Sequence, residues 1–262
     1  MSDITTDRDG AVIRVTIDRP ERHNALDMHL IDGLHAALDA VAADKSARVL
    51  QLTGRGTSFC AGADINWMRR MADYAPAENL ADAQRLAGLF EKLANLPLPT
   101  IAIVNGPAYG GGIGLVAASD FAIAVPNAEF VLSEVKLGLI PAVISPHIIR
   151  AIGGRMANRL FLSGRKFDAQ EALKLGLLSD VIGDDEIDEH VNALTRQLLE
   201  NAPEAMAAAK ELVAFVADRP VDRHVIDGTI ERIAKRRASA EGKEGLTAFL
   251  EKRNPAWRGG AD

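Results

Sequence analysis

The residues with chemical potential in this chain fall in two stretches almost empty of reactive side chains, Phe59–Ile65 (FCAGADI) and Asn105–Gly114 (NGPAYGGGIG). Each puts small residues where a backbone N–H can approach a ligand closely. Two such N–H groups converging on one oxygen form an oxyanion hole, which stabilises charge developing on a carbonyl. The run Gly110–Gly112 opens an apolar stretch, and a helix N-terminus there favours an anionic oxygen such as that of an enolate. An enolate needs a proton donor or acceptor nearby. Asp120, Glu129 and Glu134 follow the glycines, and Glu134 lies within Leu132–Pro141 (LSEVKLGLIP), whose apolar residues can desolvate a carboxyl and raise its pKa towards general-acid territory. The plainer alternative, a solvent-facing acid paired with Lys136, is equally open on the residues alone.

Other chemistries find little support. Gly112–Ala117 matches the G-x-G-x-x-G/A dinucleotide pattern, but that turn belongs directly after a strand in the first βαβ unit. Here Gly106–Tyr109 intervenes and the site lies deep in the chain. The one cysteine, Cys60, excludes an internal disulfide framework and a cysteine-rich zinc site, and between Phe59 and Ala61 it reads as a small packed apolar residue. No metal site, nucleophile elbow or phosphate-binding lysine loop is expected. A net charge of −6 argues against a nucleic-acid surface. The polar start MSDITTDRDG and the lack of a long uncharged apolar run predict no membrane contact and a cytoplasmic protein.

These residues need a scaffold, and the hydrophobic pattern supplies one. At 262 residues, 48% hydrophobic and 25% charged, the chain can bury a large core. Residues 11–18 alternate as a half-buried strand. Asp27 caps a helix running to about Ala43, with Leu30, Ile31, Leu34 and Leu38 on one face. Strands follow at 49–53, 100–104, 121–125 and 130–132. Helices fall at 77–96, stopped by Pro97 and Pro99, and from Ile113 to Ala118. After Ser145 the pattern predicts helices at 155–163, 168–175, 186–200, 204–218, 222–238 and 242–252. Trp67, Met68 and Met71 stand at helical spacing and read first as core. The fold class is α/β with a helical C-terminal region, and periodicity alone leaves a doubly wound sheet open.

The two small-residue segments, and the string Glu134, Leu137, Gly138 and Pro141, resemble the crotonase family of enoyl-CoA hydratases and isomerases. The resemblance runs from Arg19 to Arg253. It implies a spiral of ββα units over residues 1–200 and a helical trimerisation region over 201–262. It implies Ala63 and Gly111 as the oxyanion donors and Glu134 as the catalytic acid. For coenzyme A binding it implies Arg22 in the Arg22–Leu26 segment, Ala61, Asp64 and Ile65 in the second, and Tyr109 beside the glycines. The ending Phe249–Arg253 (FLEKR) adds Phe249 and Lys252. Two-glutamate hydratases carry their other acid three residues after the oxyanion glycine, where this chain has Gly114. His147, Ser133 and Ser145 are candidate polar neighbours.

The implied activity is an enoyl-CoA hydratase, a lyase acting through an enolate. A one-glutamate double-bond isomerase is the alternative, and a non-catalytic acyl-CoA binder is disfavoured by the retained Glu134. The string SEVKLGLIPAVISPHIIRAIG is similar to the methylglutaconyl-CoA hydratase-like branch. The expected partner is an acyl-CoA, with no cofactor beyond the coenzyme A of the substrate, in a homotrimer or homohexamer.

Overall fold

The computed structural model describes residues 3–258. The chain forms two compact units: residues 1–96 with 100–192, and residues 97–99 with 193–262. The first unit is built on a sheet that, among the described residues, orders β1 (Ile4–Asp9), β2 (Val12–Ile17), β3 (Val49–Gly54), β4 (Thr100–Val104), β6 (Phe121–Ala124) and β9 (Asp180–Val181) side by side. Only β1 and β2 run antiparallel; the other neighbours are parallel. Parallel neighbours need long crossovers, and helices supply them. Between β2 and β3 lies α1 (Met28–Ala43); between β3 and β4 lie α2 (Ile65–Met71) and α3 (Pro76–Ala94); between β4 and β6 lie β5 (Ala108–Tyr109) and α4 (Gly111–Ala118).

The central strands read as continuous apolar runs because both faces are covered. Val49, Leu50, Ile101, Ala102 and Ile123 of the strands are buried in the core, as are Leu30, Ile31, Leu34 and Leu38 of α1 and Leu89, Phe90 and Leu93 of α3. Asp27 caps α1 by accepting from the Leu30 N–H. A second, small sheet places β5 parallel to β7 (Glu129–Val131) and β7 antiparallel to β8 (Lys166–Asp168). The segment after β7 turns through a short 3₁₀ helix, Glu134–Leu137, ended by Gly138 at φ 74°. Then come α5 (Ser145–Ser163), α6 (Ala169–Leu175) and α7 (Ile187–Leu199).

In the second unit α8 (Pro203–Val216), α9 (Arg223–Ala238) and α10 (Ala240–Glu251) form a helical group. No helix among the described residues is long and apolar enough to cross a membrane.

Candidate active site

Three chain segments are stitched edge to edge where the small residues lie. Leu26 donates to the Gly62 carbonyl at 2.7 Å and accepts from the Asp64 N–H at 2.8 Å; Ala61 donates to the His23 carbonyl at 3.0 Å. On the other flank Cys60 donates to Pro107 and accepts from Tyr109 at 2.9 Å. In a parallel pairing, the residue between the two that bond to its neighbour turns its own N–H and carbonyl the other way. Ala63 stands in that position against Leu26. Its N–H therefore faces away from Leu26, towards the flank that carries Pro107 to Gly111, and the residue is exposed.

The second expected donor belongs to the glycine turn. Gly110 adopts φ 46°, a left-handed conformation that glycine enters without strain, and its N–H is taken by the Val131 carbonyl at 2.9 Å. Gly111 then opens α4, so its N–H belongs to the first turn, where no preceding helical carbonyl can accept it. A Cβ at Gly62 would stand 3.0 Å from the Tyr109 carbonyl oxygen, and one at Gly112 would stand 2.4 Å from the Cys60 oxygen. Small residues are thus required for the two segments to close on one another.

Glu134 reaches this place from the end of β7. Its Oε1 lies 3.2 Å from the point a Gly110 Cβ would occupy, and its Oε2 is buried with no hydrogen-bond partner among the described residues. Burial raises its pKa, and only its own backbone N–H works against the shift. A carboxyl held this way suits proton transfer more than ion pairing. Lys136, the expected partner of a surface acid, instead lays its aliphatic chain against Gly164.

The position of the family's second acid is closed. A Cβ at Gly114 would stand 2.4 Å from Ile144 Cγ2 and 2.8 Å from Phe90 Cε1, both on buried side chains. The other candidate acids are occupied. Asp120 accepts from the Thr100 N–H at 2.8 Å and hydroxyl at 2.9 Å, a clasp between β4 and the start of β6. Glu129 takes the Lys166 ammonium at 2.6 Å and the Tyr109 hydroxyl at 3.4 Å. His147 lies behind Phe90, ring centroids 6.3 Å apart, and burial followed by the Arg150 charge lowers its pKa. Cys60 is buried and its thiol is pushed up to about 12 by that burial, so it packs and does not react.

The residues expected around coenzyme A divide by position. Asp64 is buried and caps α2, accepting from the Asn66 and Trp67 N–H groups. Its second oxygen lies 3.3 Å from the half-exposed Arg22 guanidinium. Burial alone would raise the Asp64 pKa, but those amides and Arg22 outweigh it and leave the pKa lowered. Ile65 is 67% exposed beside it. Trp67 is core, as its spacing suggests, with its indole N–H on Asp82 at 3.1 Å. Phe249 and Lys252 lie in the second unit, Phe249 80% exposed and Lys252 ending α10 at φ 55°.

Sequence reasoning passed over Asn24. It is fully buried at φ 58°, accepts from the Arg19 N–H at 2.9 Å and donates to the Arg55 and Ser58 carbonyls at 3.0 and 2.7 Å. It pins the loop that presents Leu26 to the Gly62–Asp64 edge. The signal was an asparagine at a tight loop, a residue type that tolerates the left-handed region.

The α/β core, the two small-residue segments and the desolvated carboxyl of Glu134 stand together in one unit. The enoyl-CoA hydratase/isomerase family pattern matches residues 7–260, and the chain belongs to that family. An enoyl-CoA hydratase from Shewanella pealeana is 44% identical, covers 97% of this chain and 96% of its own, and superposes with a TM-score of 0.95. An enoyl-CoA hydratase from Bacillus anthracis is 30% identical over 98% of this chain and 99% of its own, with a TM-score of 0.88. The carnitinyl-CoA dehydratase of Escherichia coli K12 is 34% identical over 96% of this chain and 97% of its own. The α/β crotonase fold expected from the sequence is the fold of these relatives.

Proposed function

We propose that the protein is an enoyl-CoA hydratase in which Glu134 alone moves the proton. The carboxylate of Glu134 takes a proton from water as the water oxygen bonds to the β-carbon of a 2-enoyl thioester. The electron pair of the double bond passes to the thioester oxygen, where the N–H groups of Ala63 and Gly111 hold the enolate. Glu134 then returns the proton to the α-carbon, which restores the carbonyl. Each backbone donor of this kind contributes about 10²–10³-fold to turnover. Arg22, Ala61, Asp64 and Ile65 serve the coenzyme A portion, Asp64 by capping α2 and orienting Arg22. Tyr109 stands at the thioester side of the glycine turn, Phe249 and Lys252 assist the nucleotide, and the working assembly is a homotrimer or homohexamer. No cofactor is needed beyond the coenzyme A of the substrate.

The observation that carries this reading is the buried, unpartnered Glu134 Oε2 set against the glycine turn. A second reading, double-bond isomerisation, draws support from Gly114. With Ile144 and Phe90 filling the place of another acid, one carboxylate suffices to lift a proton from one carbon and return it to another.

A panel of 2-enoyl-, 3-enoyl- and 3-hydroxyacyl-CoA thioesters assayed in H₂¹⁸O separates the two. Hydration predicts ¹⁸O in the 3-hydroxy product. Double-bond migration with no label taken up would reject hydration in favour of isomerisation.

A further inference from the structure

One residue touches both oxyanion donors. The main chain of Leu26 holds the edge on each side of Ala63, through the Gly62 carbonyl and the Asp64 N–H. Its side chain lies against the other donor: Cδ1 stands 2.7 Å from where a Gly111 Cβ would be. Leu26 is buried at 1% exposure, and its backbone is fixed in turn by the loop that Asn24 pins to Arg55 and Ser58. Phe90 Cζ stands 3.9 Å from the same Cβ point.

We infer that Leu26 is a positioning residue that sets the spacing between the Ala63 and Gly111 N–H groups. The inference rests on the oxyanion role proposed above. Its physical basis is that close-packed interiors transmit a change of one methyl group as displacement. The main chain of Leu26 fixes one donor, and its side-chain volume limits how near α4 can bring the other. Gly111 must lack a Cβ because Leu26 already fills that space. A shorter side chain at 26 lets the first turn of α4 settle inwards, so the two donors no longer converge on one oxygen. The loss falls on the transition state, where the oxygen carries full charge, more than on binding of the coenzyme A moiety.

The test reads the polarisation of the thioester directly. A 2-butenoyl-CoA labelled with ¹³C at the carbonyl is bound to Glu134→Gln, which retains the ligand unconsumed, and its C=O stretch is followed by isotope-edited infrared spectroscopy. The carbonyl band should fall to lower wavenumber on binding. In Leu26→Ala/Glu134→Gln most of that displacement should be lost, while Leu26→Met/Glu134→Gln, which keeps the volume, should retain it. Leu26→Val, which also lacks Cδ1, carries the test if the alanine variant does not fold. With Glu134 restored, Leu26→Ala should lose about tenfold or more in kcat with KM little changed. A full carbonyl displacement in both Leu26→Ala and Leu26→Val would overturn the positioning role while leaving the oxyanion hole intact. No displacement in Glu134→Gln itself would overturn the hole, and the inference with it.

Discussion

At the scale of single residues, the site depends on what is kept out as much as on what is brought in. Gly114 is closed by Ile144 and Phe90, which is why the proposed mechanism gives Glu134 no second carboxylate. Gly114→Ala should cost about 1–3 kcal/mol of stability by overpacking, read by urea denaturation, and Gly114→Glu should not raise turnover. Burial lifts the Glu134 pKa above the ordinary glutamate value of 4.5. Hydration needs the ionised form, so the acid limb of kcat/KM should lie above that value. The same shift has a signature in stability. A carboxyl whose folded pKa is raised binds its proton more tightly folded than unfolded. Its contribution is fully present below the unfolded value and is lost as pH rises through the folded one. Glu134→Gln should therefore be more stable than the wild type at neutral pH, and the difference should vanish below the ordinary carboxylate range. Equal stabilities at neutral pH would contradict the desolvated carboxylate.

At the scale of elements, the long periodic segments were legible and the short paired ones were not. α1, with its Asp27 cap, and β2, β3 and β4 follow directly from apolar spacing. Of the site, the two small-residue segments and Glu134 were legible as types in a pattern, whereas Leu26 holds its edge by backbone pairing and Asn24 pins its loop by side-chain hydrogen bonds to the main chain, neither of which spacing encodes. β1 escaped because it is an edge strand whose last four residues are exposed, so polar side chains occupy it. β5, β8 and β9 are two or three residues long, too short for a period to register. The spacing places the first helix after Ser145 only at 155–163. The helical stretch instead starts at Ser145 and crosses a kink at Gly153, where φ is 75° and ψ 155°. Only glycine occupies that region comfortably, at a cost of about 1–3 kcal/mol for any other residue. Nothing lies within 4 Å of a Cβ at either glycine. Gly153→Ala should thus lose about that much stability, while Gly154→Ala should be neutral or slightly stabilising. Equal effects of the two in thermal unfolding would show that the kink is not held by the Gly153 backbone.

At the scale of the whole molecule, the apolar side chains left uncovered in the helical unit need an explanation. Phe249, Leu250 and Val213 are exposed at 80%, 77% and 63%. Large exposed apolar side chains of this kind are what association surfaces cover, and the proposed homotrimer or homohexamer would cover them. Light scattering should give the mass of three or six chains, and a monomer would contradict the assembly. Lys252→Ala should raise KM and leave kcat close to wild type, since a contact with the nucleotide is made equally in ground and transition states. Whatever the assembly, the proposed chemistry rests on one carboxylate beside a polarised thioester, and proton exchange reads that claim most directly. Saturated butyryl-CoA incubated with enzyme in D₂O, followed by proton NMR at the α-carbon, reports enolate formation without turnover. The wild type should exchange the α-proton, and Glu134→Gln should slow both exchange and hydration by about 10²–10⁴-fold while still binding the thioester. Exchange and turnover at wild-type rates in Glu134→Gln would contradict the account.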